Sequence, residues 1–516
     1  MGETSHRAAT GVDAAWLRMD EPGNLMVINA VMVLDGPVPF ERYRDLIVSR
    51  LLSLPRLRQR IVKPLLPFTL PTWEPDPQFD IRYHVRLTPL EHDDRASLQE
   101  LAGILMSQPL DPQRPLWQFH FVPDYENGSA VIARFHHCIG DGLAMLYVLL
   151  SMTDTPPAAH EQEADVSTGQ RSGTVLDFVT RSLSPVVSYT RSLEENVVRE
   201  VREIASRPAR AVDITRDLSV GAGALGKIIL MSADPKTAFK GPLSSSKRAV
   251  WADPVPIPLL KDIARVTGSK INDVVLAAVA GALRRYLVSR DQRVEKVTVR
   301  AVVPVNLRPI EDASELGNRF GLVFVPLPLG IEDPLDRIFA VRNHTEDIKR
   351  TPEALLTFQI LRMLGATPSP GFDAVVRLFG MRSTAVMTNV IGPREPLKMA
   401  GTTLKQVMFW VPCAGRLGMG VSIFSYAGNL WLGIATDARL VPDPERIIEG
   451  FHAEIAQMMD LVVQVTPEKE AGARPPQPAA PWQPAAASPP LAPAGQAEGG
   501  QGSTSTEPVS KPQSGL

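Results

Sequence analysis

Apolar residues in the first part of the chain follow two spacings, one typical of strands and one typical of helices. The segments NLMVINAVMVLDG and SAVIARFHHCI are short, largely apolar runs of the kind that form buried strands. FERYRDLIVSRLLSL and GLAMLYVLLSM carry apolar residues three and four positions apart, which predicts helices. Strands and helices therefore interleave in this part of the chain.

The later part of the chain repeats the same alternation. LLKDIARVTG and INDVVLAAVAGALRRYLV predict helices, whereas KVTVRAVVPVNL and LVFVPLPL predict strands. MGVSIFSYAGNLWLGIATDAR predicts a hairpin that turns at Gly428-Asn429. Because strands and helices are mixed in both halves, we expect an α/β or α+β fold with two similar lobes.

Shifts in composition predict four regions. Residues 1–153 form the first lobe, residues 154–243 form a linker with connecting helices broken at Pro185, and residues 244–465 form the second lobe. Residues 466–516 are dominated by Pro, Ala, Gln, Gly and Ser. Such a segment buries too little apolar area to offset its ordering entropy, so a disordered tail is predicted.

Composition and charge narrow the partners and the compartment. Lys and Arg total 54 against 56 Asp and Glu, with no block of like charge, which argues against nucleic acid as the main partner. The two cysteines, Cys138 and Cys413, are too few for a disulfide framework and favour a reducing compartment.

The sequence also bears on membrane contact. The first residues lack the apolar core of a signal peptide, and no apolar stretch approaches the roughly twenty residues of a spanning helix. We expect a cytoplasmic protein whose contact with the inner face of the membrane or with lipid droplets is peripheral. The segment from Thr174 to Ala205, which mixes apolar and basic residues, is the candidate contact surface.

The stretch FHHCIGDG contains the most informative polar residues. Because side chains alternate along a strand, His136 and His137 point to opposite faces, and one of them serves any given cleft. A neutral imidazole at the strand end could take a proton from a hydroxyl group. Asp141, near the start of the next helix, could orient that imidazole or brace the loop by pairing with an arginine.

Two other interpretations of this stretch stay open from spacing alone. The histidines could simply pack in the core, which is the leading alternative. A His-x-x-x-Asp metal site is disfavoured because no second pair among the nine histidines has suitable spacing. Cys138 beside them is expected to be a buried small residue rather than a nucleophile.

The stretch resembles the HHxxxDG motif of acyltransferases that use coenzyme A thioesters. Further segments resemble, in the same order, those of the bacterial wax ester synthase/acyl-CoA:diacylglycerol acyltransferase family. They are Val12 to Leu17, Pro115-Leu116-Trp117, Phe239 to Leu243, Asn272-Asp273, Gly317 to Gly321, and Thr388 to Pro393. Thr388 stands where serine is common in that family, and Ile391 stands in place of proline.

This resemblance implies two chloramphenicol-acetyltransferase-like lobes with a tunnel between them. His137 would lie at its centre as the general base, within a motif completed by His136, Asp141 and Gly142. Trp117, which follows Pro115 and Leu116, is expected to be a core aromatic residue rather than a substrate contact. Asn272 and Asp273 open a helix and are expected to support the tunnel rather than take part in the chemistry. Arg308 is a possible partner of Asp141, because superfamily relatives pair the motif aspartate with an arginine.

The resemblance further implies an enzyme that moves a long-chain acyl group from acyl-CoA to the hydroxyl of diacylglycerol, making triacylglycerol as storage lipid. A wax ester synthase acting on long-chain alcohols, an acyltransferase that takes acyl groups from a carrier protein, and a non-catalytic lipid-binding relative are the alternatives. No metal or bound cofactor is expected, because acyl-CoA is a substrate.

Overall fold

The computed structural model describes residues 7–63, 69–154, 231–307, 316–349, 353–364, 369–413 and 415–465. Residues Met1–Lys469 form one compact unit. The segments 174–205 and 466–516 and residue Arg308, for which the sequence makes specific predictions, lie outside the described residues.

The helices and strands of this unit alternate much as the sequence predicts. The helices are α1 (Gly11–Met19), α2 (Phe40–Leu51), α3 (Ile81–His84), α4 (Arg95–Met106), α5 (Gly142–Ser151), α6 (Ile257–Val266), α7 (Ile271–Val288), α8 (Pro334–Lys349), α9 (Glu353–Leu364), α10 (Ser369–Arg382) and α11 (Glu445–Val465). The strands are β1 (Arg7–Ala8), β2 (Val27–Leu34), β3 (Gln59–Val62), β4 (Thr72–Pro75), β5 (Val85–Leu87), β6 (Trp117–Tyr125), β7 (Gly128–His136), β8 (Lys247–Trp251), β9 (Val255–Pro256), β10 (Thr298–Asn306), β11 (Phe320–Pro328), β12 (Ala385–Ile391), β13 (Lys398–Met399), β14 (Thr402–Trp410), β15 (Met419–Tyr426) and β16 (Asn429–Asp437).

Two mixed sheets organise the unit. The first has the strand order β13-β14-β2-β7-β6-β5, and the second has the order β11-β10-β12-β15-β16-β8, with β9 added beside β16. A small third sheet has the order β1-β4-β3. Strands β13 and β14 come from the second half of the chain but belong to the first sheet, where β14 pairs with β2. The two halves are therefore joined by strand exchange.

Hydrophobic burial explains why these elements form. Strand β7 is buried along its whole length, and α7 is buried on nearly every face, in keeping with their continuous apolar sequences. The predicted hairpin is confirmed, with its turn at Ala427-Gly428, one position earlier than expected. Both turn residues have positive φ, 50° and 78°, as a type I′ hairpin turn requires.

The lengths of the helices bear on whether the chain could cross a membrane. Within the described ranges, no single helix has both the length and the apolar composition to cross a membrane. Helices α6 and α7 meet that standard only when taken together, and they are bent by 96° at their junction.

Candidate active site

The end of strand β7 positions the two motif histidines. The strand ends at His136, so His137 occupies the turn that follows rather than the strand itself. The His136 N–H donates to the Leu116 carbonyl at 2.9 Å, and the His137 N–H donates to the Met26 carbonyl at 2.8 Å. Backbone contacts from both sides therefore fix where the His137 side chain begins.

The His137 ring is held between aromatic residues and one amide. It stacks on Trp16 with ring centroids 4.0 Å apart and planes 11° from parallel, and it lies 5.6 Å from the Phe320 ring. Its Nδ1 lies 2.9 Å from Asn318 Oδ1. His137 is 4% exposed as a residue, so water has little access to it.

The Asn318 amide selects one tautomer of His137. Asn318 Nδ2 donates to Asp13 Oδ1 and to the His137 carbonyl, both at 2.8 Å. Because those two partners only accept, the amide nitrogen must face them and the amide oxygen must face the ring. Oδ1 can accept only from a protonated Nδ1, which leaves Nε2 with its lone pair.

Burial keeps His137 neutral. It lowers the pKa of the imidazole to about 4, against the smaller opposing effects of the Asp141 charge and the Asn318 hydrogen bond. The ring is therefore uncharged at neutral pH and can accept a proton at Nε2.

Helix α1 supplies both the stacking partner and the acceptor behind Asn318. Asp13 and Trp16 are three residues apart and so lie on one helix face. Asp13 also forms a capping box with Thr10 at the start of the helix. Burial raises the pKa of Asp13, and the Asn318 hydrogen bond and the Arg56 charge partly offset that effect.

Asp141 braces the loop after the histidines. Its Oδ1 accepts from the Ala144 N–H at 3.1 Å, which caps helix α5, and its Oδ2 accepts from the Arg319 N–H at 2.9 Å. The Asp141 N–H donates to the Gly317 carbonyl at 3.1 Å. The aspartate therefore ties the motif loop to the segment that carries Asn318, through backbone groups.

Gly140 and Gly142 in this loop differ in the space available for a side chain. A Cβ on Gly140 would lie 2.7 Å from the Ala144 Cβ, so this position has no room for a side chain. A Cβ on Gly142 would meet nothing within 4 Å, and Gly142 lines an apolar cavity. Any side chain there would begin to fill that cavity.

His136 occupies a different environment from His137. Its Nδ1 accepts from the Cys138 N–H at 3.2 Å, and its Nε2 lies 3.8 Å from Asp20 Oδ1, too far for a hydrogen bond. Burial lowers its pKa to about 3. It does not line the cavity that His137 lines, in keeping with the prediction that one histidine serves the cleft.

The segment Pro115-Leu116-Trp117 supports the histidine loop from behind. Trp117 is fully buried, stacks on His84 with ring centroids 4.3 Å apart, and donates from Nε1 to the Leu57 carbonyl at 2.8 Å. Leu116 accepts from His136 as described above, and the Pro115 carbonyl accepts from the Trp117 N–H at 2.8 Å. These contacts match the prediction of a core role.

Asn272 and Asp273 lie in the first turn of α7. Asp273 Oδ2 accepts from the Lys270 N–H at 3.0 Å and so caps the helix, while its Oδ1 accepts from the Thr345 hydroxyl at 2.8 Å. Asn272 Oδ1 accepts from Asn389 Nδ2. Asn272 therefore ties α7 to strand β12, and Asp273 ties α7 to helix α8.

Two narrow apolar cavities adjoin at the site. The histidine cavity is lined by Trp16, His137 and Phe320 together with β10 and β12 residues. The second cavity lies between β2, β7 and α5, and Val411 lines both. Each has a volume of about 60 Å³, below the roughly 300–1,000 Å³ of typical ligand sites, so a long substrate must widen them.

A larger cavity opens to the surface nearby. It has a volume of about 690 Å³ and is lined by α10, by Phe239 to Gly241 and by Gly415 to Gly418. Gly415 lines the histidine cavity as well. Gly415 therefore lies between the open cavity and the histidine cavity.

The Cys138 thiol and the residue types that bind metals are the other candidates for chemistry near this site. Burial raises the pKa of the Cys138 thiol well above its ordinary value, so it is not a thiolate at neutral pH. In the ranges that the structure describes, no three His, Cys, Asp or Glu residues gather in the manner of a metal site.

Sequence reasoning left three site residues without a role: Asp13, Trp16 and Asn318. All three belong to segments that carry the family resemblance, Val12 to Leu17 and Gly317 to Gly321. The i, i+3 spacing of Asp13 and Trp16 on a helix was a usable signal that both face one direction. Their meeting with Asn318 is a long-range contact that no local pattern reveals.

We expect acid to destabilise the protein through its buried histidines. Burial lowers the pKa of His84, His120 and His137 to about 4 and that of His136 to about 3. The ordinary pKa of histidine is 6.5. Between pH 6.5 and 5 the unfolded chain therefore binds more protons than the folded protein, and the free energy of unfolding decreases as the pH is lowered. Each histidine contributes about 1.4 kcal/mol per pH unit to this decrease once it is protonated in the unfolded chain.

Urea unfolding at pH 7, 6 and 5 measures this slope. Replacing buried His120 by Gln should flatten it, whereas replacing exposed His92 by Gln should leave it unchanged. A carboxyl group with a raised pKa in the folded protein, such as that of Asp13, has the opposite effect, because it increases the free energy of unfolding as the pH is lowered. An unfolding free energy at pH 5 equal to that at pH 7 would show that the histidines are not buried in the neutral form.

The chain was also compared with known proteins. The family model of the wax ester synthase/diacylglycerol acyltransferase catalytic domain matches residues 10–275, and that of the C-terminal domain of the same family matches residues 316–459. A putative diacylglycerol O-acyltransferase of Mycobacterium bovis is 28% identical over 465 residues, covering 88% of this chain and 96% of the relative. A second, from Mycobacterium tuberculosis, is 27% identical over 476 residues, covering 89% and 97%.

Solved structures share the fold. The wax ester synthase/diacylglycerol acyltransferase of Marinobacter aquaeolei matches with a TM-score of 0.61 at 19% identity, covering 88% of this chain and 99% of its own. A trichothecene 15-O-acetyltransferase of Fusarium sporotrichioides matches with a TM-score of 0.55 at 11% identity, covering 88% and 95%. The two family models together span most of the sequence, and the chain belongs to the wax ester synthase/diacylglycerol acyltransferase family.

Proposed function

We propose that this protein is an O-acyltransferase that moves a long-chain fatty acyl group from acyl-CoA to the hydroxyl of diacylglycerol, making triacylglycerol. The observation that carries the proposal is His137: a neutral imidazole with its proton on Nδ1, lining an apolar cavity. An imidazole in this state is equipped to deprotonate a hydroxyl group in a water-poor site.

The reaction follows from this geometry. His137 Nε2 takes the proton of the acceptor hydroxyl while that oxygen bonds to the thioester carbonyl carbon. The tetrahedral oxyanion then collapses, the carbon–sulfur bond breaks, and His137 returns the proton to the departing CoA sulfur. A positioned base typically increases the rate by about a hundred- to ten-thousand-fold. The rest of the rate enhancement comes from alignment of the two substrates and from stabilisation of the oxyanion. No metal or bound cofactor takes part in this scheme.

The surroundings of His137 favour apolar substrates. Its cavity and the adjoining one are lined almost entirely by apolar side chains. Each buried methylene contributes roughly 0.8 kcal/mol, so a long acyl chain can supply the free energy needed to separate these side chains. Membership of the family and the names of the relatives support diacylglycerol as the acceptor.

A peripheral contact with a membrane or lipid droplet is part of the proposal. Diacylglycerol resides in lipid, so the enzyme must collect it from a lipid surface. The open cavity beside Gly415 has a mostly apolar lining, and Met381 at that cavity is 50% exposed. An apolar opening of this kind suits extraction of a lipid acceptor.

The second candidate is wax ester synthesis from a long-chain alcohol. The same base and the same apolar cavities serve this reaction, because only the acceptor differs. A non-catalytic lipid-binding protein is disfavoured, since nothing in simple lipid binding calls for an imidazole fixed in one tautomer by Asn318 and Asp13. Use of a carrier protein as acyl donor is disfavoured by the family membership.

One assay tests the proposal and separates the candidates. The purified full chain is given palmitoyl-CoA with diacylglycerol or with hexadecanol, and both free thiol and lipid product are followed. We expect thiol release matched by triacylglycerol with the first acceptor. Wax ester with the second acceptor alone would instead identify a wax ester synthase, and no thiol release with either would favour the lipid-binding alternative.

A further inference from the structure

The indole N–H of Trp16 is a buried donor with no hydrogen-bond partner in the part of the chain that the structure describes. Trp16 is 4% exposed, and the indole N–H of a buried tryptophan usually finds an acceptor. Four other tryptophans share this state, but Trp16 is the one described tryptophan that lines the histidine cavity. Its N–H is therefore available to a molecule that enters this cavity.

The position of this indole relative to the base is fixed. The Trp16 ring lies nearly parallel to the His137 ring, with centroids 4.0 Å apart, and it lies 5.9 Å from the Phe320 ring. One turn earlier on α1, Asp13 accepts from Asn318, which in turn accepts from His137. A single helix therefore positions both the indole and the hydrogen bonds that orient the base.

The other side chains that line the histidine cavity offer no free donor. The Ser383 hydroxyl donates to the Phe379 carbonyl at 2.8 Å, and His137 Nδ1 donates to Asn318. The remaining described side chains of this lining are apolar. A polar group that lies beside the reacting hydroxyl of a substrate therefore has one side-chain donor to meet, which is Trp16 Nε1.

The two candidate acceptors differ in just such a group. Diacylglycerol carries an ester on the carbon next to the one that bears its free hydroxyl, whereas a long-chain alcohol has none. We propose, on the basis of the acyl transfer proposed above, that Trp16 Nε1 donates a hydrogen bond to the carbonyl of this ester. Trp16 is then a specificity-determining residue that favours diacylglycerol, while the free hydroxyl of the same molecule faces His137 Nε2.

The cost of an unpaired donor gives the direction of this preference. With diacylglycerol bound, the indole N–H gains the acceptor that the protein does not provide. With a long-chain alcohol bound, the N–H stays unpaired in an apolar cavity, which is unfavourable. One neutral hydrogen bond changes a rate or a binding constant by about three- to tenfold. Sites that pair a polar group of the substrate discriminate against analogues that lack it.

The test compares acceptors that differ only in their ester carbonyls. Purified protein is given palmitoyl-CoA with dioleoylglycerol, with its ether-linked dioleyl analogue or with hexadecanol, and kcat/KM for the acceptor is measured by thiol release. We expect the wild type to use the ester lipid about three- to tenfold better than the ether lipid. Trp16→Phe should lose this preference, because it keeps an aromatic ring and removes the N–H.

The ratio between the two lipids separates this role of Trp16 from packing. Weaker stacking on His137 or a larger cavity changes the rate with both lipids alike, so it cancels in the ratio. Phe320→Leu is the matched control, because Phe320 is the other aromatic neighbour of His137 and has no donor. We expect its ratio of ester to ether lipid to stay within about twofold of the wild type.

The wild-type protein separates a failure of the proposed function from a failure of this assignment. If it forms no triacylglycerol, the proposed function fails and the assignment of Trp16 fails with it. Beside an active wild type, equal use of the ester and ether lipids overturns the assignment alone, and so does a Trp16→Phe protein that keeps the wild-type ratio. The comparison of the two lipids on the wild type does not depend on the folding of the variant.

Discussion

Replacement of His137 by alanine is expected to lower kcat for thiol release from acyl-CoA by at least a hundred-fold, and by about ten-thousand-fold if no water molecule substitutes for the base. Nε2 of this ring accepts the acceptor proton in the proposed reaction, and the neighbouring polar groups are engaged elsewhere. Asp141 bonds to backbone amides, and the Cys138 thiol is protonated. Free thiol and triacylglycerol, measured with saturating palmitoyl-CoA and diacylglycerol, give the rate.

The fold should survive this substitution. His137 faces a cavity, so truncation enlarges an existing space rather than opening one in solid packing. His136→Ala is the matched control on the neighbouring residue. It removes a buried ring outside the cavity and should cost about 1–3 kcal/mol of stability while the folded fraction keeps its rate within about tenfold. A folded His137→Ala enzyme with wild-type kcat would remove His137 from the chemistry.

Replacement of Asn318 by alanine is expected to lower kcat on the order of a hundred-fold, because Asn318 positions the base rather than reacting itself. The substitution removes the acceptor that keeps the proton on His137 Nδ1, and the ring can then place its proton on Nε2. It also leaves the buried Asp13 carboxyl without its amide donor. KM for acyl-CoA should change little, since Asn318 is not among the residues that line the cavities.

A second substitution at this position separates positioning from simple packing. Asn318→Asp keeps an acceptor for Nδ1–H but places a negative charge beside the ring, which raises the pKa of His137 above its value of about 4. Protonated His137 cannot act as a base, so the acid limb of the kcat/KM profile should move to higher pH. An unshifted profile in a folded Asn318→Asp enzyme would contradict the assigned contact. Asn389→Ala, at a second side-chain amide pair, should leave the profile unchanged.

Local sequence patterns predict the parts of this fold that depend on neighbouring residues. Strand β7 and helix α5 follow from apolar spacing, and the Asp141 cap of α5 follows from its place before the helix. His137 follows from a short motif whose strand, turn and helix are contiguous. The sequence therefore predicts where the base lies along the chain and what kind of residue it is.

The parts that depend on distant residues do not follow from local patterns. Asn318 contacts His137 across 181 positions, and it contacts Asp13 across 305. Nothing in the sequence of β14 tells which sheet it joins, and it pairs with β2 from the first half of the chain as well as with β13. Such pairings depend on the packing of the whole chain.

Asp141 has one backbone partner that local sequence does not predict. Its carboxylate accepts from the N–H of Ala144, which follows from the helix start, and from the N–H of Arg319, which is distant in sequence. A backbone amide can serve wherever the chain passes, so composition gives no signal for the second contact. The predicted pairing with Arg308 lies outside the described residues and stays a prediction.

The protonation state of His137 is the most direct test of the account. In the full chain labelled with ¹⁵N-histidine, the His137 signals can be assigned by their loss in the His137→Ala protein, and one long-range ¹H–¹⁵N correlation spectrum at pH 7 reports both ring nitrogens. We expect a neutral ring with the proton on Nδ1 and an unprotonated Nε2. A proton on Nε2, or a doubly protonated ring at that pH, would contradict the role of His137 as the base.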